Sequence, residues 1–180
     1  TIAGQPFQVV QGFADTLHAP GGLLLAADEA GAIATAAAWN WPGRNPPSRE
    51  VSRCRDFWDS REETGRIVEL DAMRGGWGDP KDLSVAAPEW MLKDEGAWVG
   101  VPLIHHGRMI GLALIAAAEY RRALDWEDFD LLRTAGRQAA SSLAEAHGQE
   151  ALSNARRFEE FNRRFAFILH DIKNLVSQLS

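Results

Sequence analysis

The sequence predicts an α+β domain with one antiparallel sheet flanked by helices, followed by a long C-terminal helix of coiled-coil type. Three observations lead there. Two pairs of short apolar runs, at residues 23–39 and 97–117, are each split by a turn signal. Apolar residues recur at helical spacing before the first pair and after the second. From Asp125 to the last residue no proline interrupts the chain, and a heptad pattern runs to its end. Strands in the middle with helices at both ends make a single sheet with the helices on one face. The other face, with the insertion between strands, is then free to enclose a pocket.

Taken in order, Phe7, Val10, Phe13, Ala14 and Leu17 fall on one side of a helix that Pro20-Gly21-Gly22 stops. A first hairpin follows, with strands at 23–27 and 33–39 and a turn at 28–31; its alanines need tertiary support, being poor strand formers. WPGRNPP, 41–47, is loop by composition. Residues 49–63 are polar and hold a short helix, 65–70 (GRIVEL) reads as a strand, and 74–82 (RGGWGDPKD) as an irregular loop. The second hairpin pairs 97–104 with 109–117 around His106-Gly107. Asp125-Trp126-Glu127-Asp128 then supplies an N-cap and an acidic first turn.

The helix that starts there is too long for one small domain. Read back from the end, Leu179, Leu175, Ile172, Ile168, Phe165, Phe161 and Phe158 alternate in steps of four and three, and Asn154, Ala151 and His147 keep the register. This is a heptad seam with a polar residue, Asn154, of the kind that sets register at some cost in stability. A seam of this kind predicts a partner helix, most simply in a parallel homodimer. Gly136 and Gly148 weaken the upper part by up to about 1 kcal/mol each and mark a junction near the domain. The organisation expected is a globular domain over 1–146 and a helix leading into a second domain over 147–180.

Composition narrows the function. The net charge of −6 argues against a nucleic-acid surface, and the arginines at 156, 157, 163 and 164 are interleaved with Glu159 and Glu160 as on a solvated helix face. One cysteine, Cys54, allows no intrachain disulfide and no thiolate cluster, which fits a reducing, cytoplasmic setting. The richest apolar stretch, 99–118, is broken by Pro102, His105, His106, Gly107 and Arg108, so it reads as strands rather than a membrane span. The chain opens at Thr1 without a methionine and stops inside an apolar run, as an excised piece of a longer protein would.

The informative run is FAFILHDIKNLVSQL, 165–179. With Ile168 and Ile172 in the seam, His170 faces outward, Asn174 lies one turn on along the same exposed face, and Asp171 is adjacent. A nucleophilic imidazole needs a free nitrogen, room for a phosphoryl donor and a carboxylate to take or orient its proton. HDIKN followed by Leu175, Val176 and Leu179 resembles the H-box of the sensor histidine kinase dimerisation and phosphotransfer domain. The resemblance implies that His170 is the phosphoacceptor, that Asp171 is its acid/base, and that Asn174 serves phosphotransfer or dephosphorylation. The region before it, about 5–145, resembles a GAF domain. WEDFDLLRTAGRQAASSLAEA and FEEFNRRFAFILHDIKNLVSQLS together are similar to PEP-CTERM/exosortase-associated sensor kinases, which implies a membrane-anchored parent and a cognate response regulator. No nucleotide-binding boxes are present, so ATP and Mg are expected of the parent kinase and no cofactor of this stretch; by itself it should not phosphorylate anything.

The seven tryptophans are many for this length. Trp39, Trp41, Trp58 and Trp77 cluster in or near the insertion, where they are the candidate lining of a small-molecule pocket; a pocket filled by the rings themselves is the competing reading. His105-His106 carries no metal expectation, because strand neighbours point to opposite faces and no further ligand stands at suitable spacing. His18 closes the first helix, where a cation suits the dipole. Cys54 stands where some GAF photoreceptors attach a tetrapyrrole, but no characteristic histidine follows it. A methionine sulfoxide reductase of this fold needs several cysteines and is excluded. The alternative to the kinase reading is a non-catalytic ligand-binding or dimerisation module with an inert helix.

Overall fold

The computed structural model describes residues 4–27, 32–43 and 55–179. Cys54, the first turn at 28–31 and most of the loop after Trp41 lie outside them. Helix α1 (Gly4–Thr16) leads into strands β1 (Gly22–Ala27) and β2 (Ile33–Trp39). Helix α2 (Arg55–Thr64), strand β3 (Val68–Glu69) and three short helices, α3 (Leu70–Gly75), α4 (Pro80–Leu83) and α5 (Glu89–Lys93), precede β4 (Ala97–His105) and β5 (Arg108–Ala116). Helix α6 runs over Trp126–Leu179. The strands form one antiparallel sheet in the order β2-β1-β5-β4-β3, as the α+β reading requires.

Two compact units divide the chain, residues 1–144 and 145–180. In the first unit, alternation along β1 assigns the faces. Leu24 joins Val10, Phe13 and Ala14 of α1 and Leu132, Ala140 and Leu143 of α6. Leu23 and Leu25 join Phe57 and Trp58 of α2, Leu70 of α3 and Met91 of α5 on the opposite face. Both faces are therefore covered by helices, which corrects the expectation of helices on one face only. The central strands explain it. β4 is buried from Ala97 to Leu103, and β5 from Gly111 to Ala116. Strands apolar on both sides must be packed on both sides.

Other differences follow from packing. Phe7 is largely exposed although it lies near the apolar side of α1. The strand expected over 65–70 shortens to two residues because Leu70 begins α3. The loop expected over 74–82 contains α4, whose Asp79 caps Lys81 N at 2.9 Å with Pro80 in the first turn. Residues 89–93 form α5, which no periodicity indicated. Gly136 is a close-approach position: a Cβ there would stand 3.2 Å from Pro102 O and Val101 Cγ1, so its absence lets α6 reach β4. At the second hairpin, His106 and Gly107 have φ of 48° and 74°, the left-handed pair of a two-residue turn closed by His105 and Arg108. His106 therefore leaves the strand, and its ring meets that of His105 edge to face at 4.0 Å instead of pointing away from it.

Helix α6 begins where the acidic tetrad predicted. Asp128 N donates to Asp125 Oδ1 and Asp125 N to Asp128 Oδ2, both at 2.9 Å, a reciprocal cap. Arg122 grips the same carboxylate from outside. That contact and the backbone bond from Asp125 hold the Asp128 carboxyl down at about 2.

One backbone contact has no room to give. A Cβ on Gly21 would lie 2.2 Å from Asn40 O and 2.6 Å from Trp39 O, both main chain. Gly21→Ala should push the end of β2 off β1 and cost about 1–3 kcal/mol, whereas Gly12→Ala, with nothing within 4 Å on the outside of α1, should gain up to about 1 kcal/mol. Urea midpoints followed by near-ultraviolet dichroism check both; equal effects would contradict the close approach at Gly21.

Candidate functional site

The second unit is the lower part of α6, taken by itself. The side chains of 147–179 are exposed. Phe158, Phe161, Phe165, Ile168, Ile172 and Leu175 are each 50–67% exposed, so the heptad seam is an open apolar stripe. Phe161 and Phe165 stack at 6.1 Å along it. The pattern that builds it is legible in the sequence, since helical residues four and three apart share a side. Arg164 pairs with Glu160 across one turn at 2.8 Å on the charged flank.

His170, Asp171 and Asn174 all lie on this helix and are exposed. The ring of His170 is met by Asn174, whose amide stands 3.3 Å from Nδ1. Asp171 makes no hydrogen bond to the ring. The amide one turn on, rather than the neighbouring carboxylate, is thus the group that orients the imidazole. It can do so in two ways: by donating to Nδ1, or, turned over, by accepting from Nδ1–H. The second leaves the Nε2 lone pair free on an exposed side chain.

In the first unit the four tryptophans are not brought together. Trp58 is buried and Trp41 half-buried in the apolar layer over α2, α3 and α5. Trp39 packs in the opposite layer, and Trp77 is 57% exposed. β2 ends at Trp39, and Asn40, with φ of 45°, breaks the alternation that would otherwise put Trp39 and Trp41 on one face; clustering in sequence cannot reveal the split. On the α2–α5 face the described rings belong to the core.

What sequence reading missed is a set of arginine clasps. Arg61 is 1% exposed. Its guanidinium donates to Asp82 Oδ1 at 3.0 Å and Asp82 O at 3.1 Å and lies over the Phe57 ring at 5.4 Å. Arg66 donates to both Asp82 oxygens at 2.7 Å and to Asp79 at 3.0 Å. Burial by itself would raise the Asp82 carboxyl, but the hydrogen bonds from Arg66 and Arg61 outweigh it and hold it below the usual carboxylate range. Glu69 goes the other way: half-buried, and facing the charges of Asp82 and Asp71, it is raised. Arg74 donates to the carbonyls of Met91, Leu92, Asp94 and Ala97 at 2.6–2.9 Å and pairs with Asp71. Asp-Pro at 79–80, a helix-start signal, was the available hint of α4; nothing local announces Arg74.

Among the described residues no group of histidines, cysteines and carboxylates is placed to hold a metal, and no helix is long and apolar enough to cross a membrane.

Asp82→Asn leaves Arg61 buried without its counter-charge and should cost about 3–5 kcal/mol at neutral pH. Because the carboxyl is depressed in the folded state, its contribution is complete above its unfolded range, near pH 4, and is lost as pH falls through the lowered value. The gap between wild type and Asn should therefore close on acidification, measured by denaturant midpoints from pH 7 to pH 2. A gap independent of pH would refute the charge pairing.

The comparisons with known proteins agree with this architecture. The GAF domain family model matches residues 7–143. Among solved structures, the blue-light absorbing form of the Thermosynechococcus elongatus PixJ GAF domain aligns with TM-score 0.61 at 17% identity, covering 86% of this chain and 91% of that one. The photoproduct state of GAF3 of Slr1393 from Synechocystis aligns with TM-score 0.60 at 10% identity, covering 84% and 99%. Residues 122 to 287 of a methyl-accepting chemotaxis protein align with TM-score 0.56 at 16% identity, covering 84% and 99%. No curated protein matches the chain. At these identities the structures speak to fold. With a family model spanning most of its length, this chain belongs to the GAF domain family.

Proposed function

We propose that the chain is the sensor and phosphoacceptor-helix part of a two-component sensor histidine kinase: a GAF domain over 1–146, then a signalling helix and the start of the phosphotransfer domain over 147–180. The observation that carries this reading is the pairing of His170 with Asn174 at 3.3 Å on an exposed helix face, beside an open apolar seam. A seam of phenylalanine, isoleucine and leucine supports a parallel homodimer in which His170 stays outside the bundle, within reach of a catalytic domain.

In this mechanism Asn174 accepts from Nδ1–H and keeps Nε2 unprotonated. The Nε2 lone pair attacks the γ-phosphorus of ATP, the bond to the β–γ bridging oxygen breaks, and ADP leaves with that electron pair. The phosphorylated ring then loses its Nδ1 proton, for which Asp171, the adjacent carboxylate, is the acceptor once the ring turns from Asn174. ATP and Mg come with the catalytic domain of the parent, whose membrane anchoring and exosortase association are part of the same proposal. A response regulator then removes the phosphoryl group, with Asn174 orienting the attacking group. GAF neighbours from a photoreceptor and a chemotaxis receptor support a signalling role for the first domain. A conformational bias there would be passed on by altering how the seam packs.

Two measurements test the proposal. Incubated with labelled ATP and the ATP-binding domain of the parent kinase, wild type should gain acid-labile phosphate and His170→Gln none; absence of label in both would favour a non-catalytic module with an inert helix. By light scattering, wild type should have twice the mass of one chain, and Ile168→Asp with Ile172→Asp should return it to one. A monomeric wild type would overturn the seam as a dimer interface.

A further inference from the structure

A cavity of about 580 Å³ opens in the first unit between the turn at Gly65, the β4–β5 hairpin and α6. Its charged lining is of one sign. Arg66, Arg133, Arg137 and His106 contribute to it, Ile67 and half-buried Ile104 supply apolar wall, and no aspartate or glutamate takes part. It is distinct from the apolar layer over α2–α5, and its volume lies in the range of small-molecule sites.

The charge is not spent within the protein. Arg66 and Arg61 are matched by Asp79 and Asp82, but Arg133 and Arg137 make no ion pair among the described residues. Arg137 donates to Thr134 Oγ1 at 3.5 Å, the limit of a hydrogen bond. The two stand one helical turn apart, on one side of α6, where like charges repel and weaken the helix slightly. In a chain of net charge −6, an unpaired cation pair facing a concavity is a feature that an anion would stabilise. Two guanidinium forks match the several oxygens of a phosphate dianion better than a single carboxylate. Beside them the wall of Ile67 and Ile104 can take an apolar body.

We infer that this cavity binds a small organic phosphate monoester, its dianionic group held by Arg133 and Arg137 and its apolar part against Ile67 and Ile104. The turn residues add to the fit. His106 is held with φ of 48°, which turns it out of strand β4 to the cavity edge, where a ring N–H can add a third donor. Such a ligand would tie the hairpin, the Gly65 turn and the upper part of α6 together.

The probes are phenyl phosphate, inorganic phosphate and benzoate, titrated calorimetrically into the full chain in phosphate-free, low-salt buffer. Phenyl phosphate should bind saturably, at least tenfold more tightly than either of the other two, and more weakly as salt is raised. Arg133→Gln with Arg137→Gln should weaken it by about tenfold or more, while Arg156→Gln with Arg157→Gln leaves it unchanged. Both pairs are exposed, and matching circular dichroism confirms that the variants are folded. No saturable binding up to about 10 mM, a range typical of non-specific anion contacts, would overturn the inference. So would binding that survives the Arg133/Arg137 double substitution, or benzoate binding as tightly as phenyl phosphate.

Discussion

Strands β4 and β5 are apolar on both sides for most of their length, and the rest of the first unit answers to that constraint. Water has to be excluded from two faces, so the chain must supply two sets of helices. One set is made of long, periodic elements, α1 and the start of α6, whose apolar stripes lie on Leu24, Val101, Ala113 and Ile115. The other is made of short pieces, α2 to α5, that bring Phe57, Trp58, Leu70 and Met91 to Leu23, Leu25, Leu112 and Leu114. Helices of four to six residues are not stable alone. Their place is set by side chains that reach across to them.

Arginine does this work on the second face. Arg61 and Arg66 converge on Asp82 and so tie α2 and the β3 approach to α4. Arg74 satisfies carbonyls at the end of α5 and at Ala97, the first residue of β4. The carbonyls of Met91 and Leu92 lie in the last turn of α5, where helical carbonyls lack intrahelical partners, so the guanidinium stands in for missing backbone bonds there. The planar fork suits the task, since five donors leave it in fixed directions. Arg133 and Arg137, which make no ion pair among the described residues, line the nearby cavity, and the proposed ligand site rests on them rather than on the aromatic face.

Helix α6 shows how identical local rules serve different ends. In the first unit, Phe129, Leu132, Ala135, Ala139, Ala140 and Leu143 follow helical spacing and are covered by the sheet. In the second unit, Phe158 to Leu179 follow the heptad and are open. An apolar stripe of that length raises solubility and specificity problems for a lone helix, and a partner helix resolves them. The polar residues displayed on the outer side are free of that packing, so His170 and Asn174 keep the geometry of one helical turn without help from any other element.

By itself the sequence determined the elements whose signals are local and repeated. The two hairpins, the first helix, the start of α6 at Asp125 and the heptad seam are periodic or capped, and the His170–Asn174 pair follows from helical spacing alone. Tertiary structure decided the rest. Whether residues 70–93 are loop or short helices depends on arginine contacts that span 13–23 residues, because a single turn gains too little from its own hydrogen bonds to persist. Trp39 and Trp41 are neighbours in sequence but pack in opposite layers, because β2 ends at Trp39 and the backbone turns at Asn40. Gly136 looks like a weak point in a helix, and becomes a contact only once β4 lies 3.2 Å from where its Cβ would be. A local pattern can be read without knowing its neighbours; a charge pair, a buried face or a close approach exists only when the neighbours are in place.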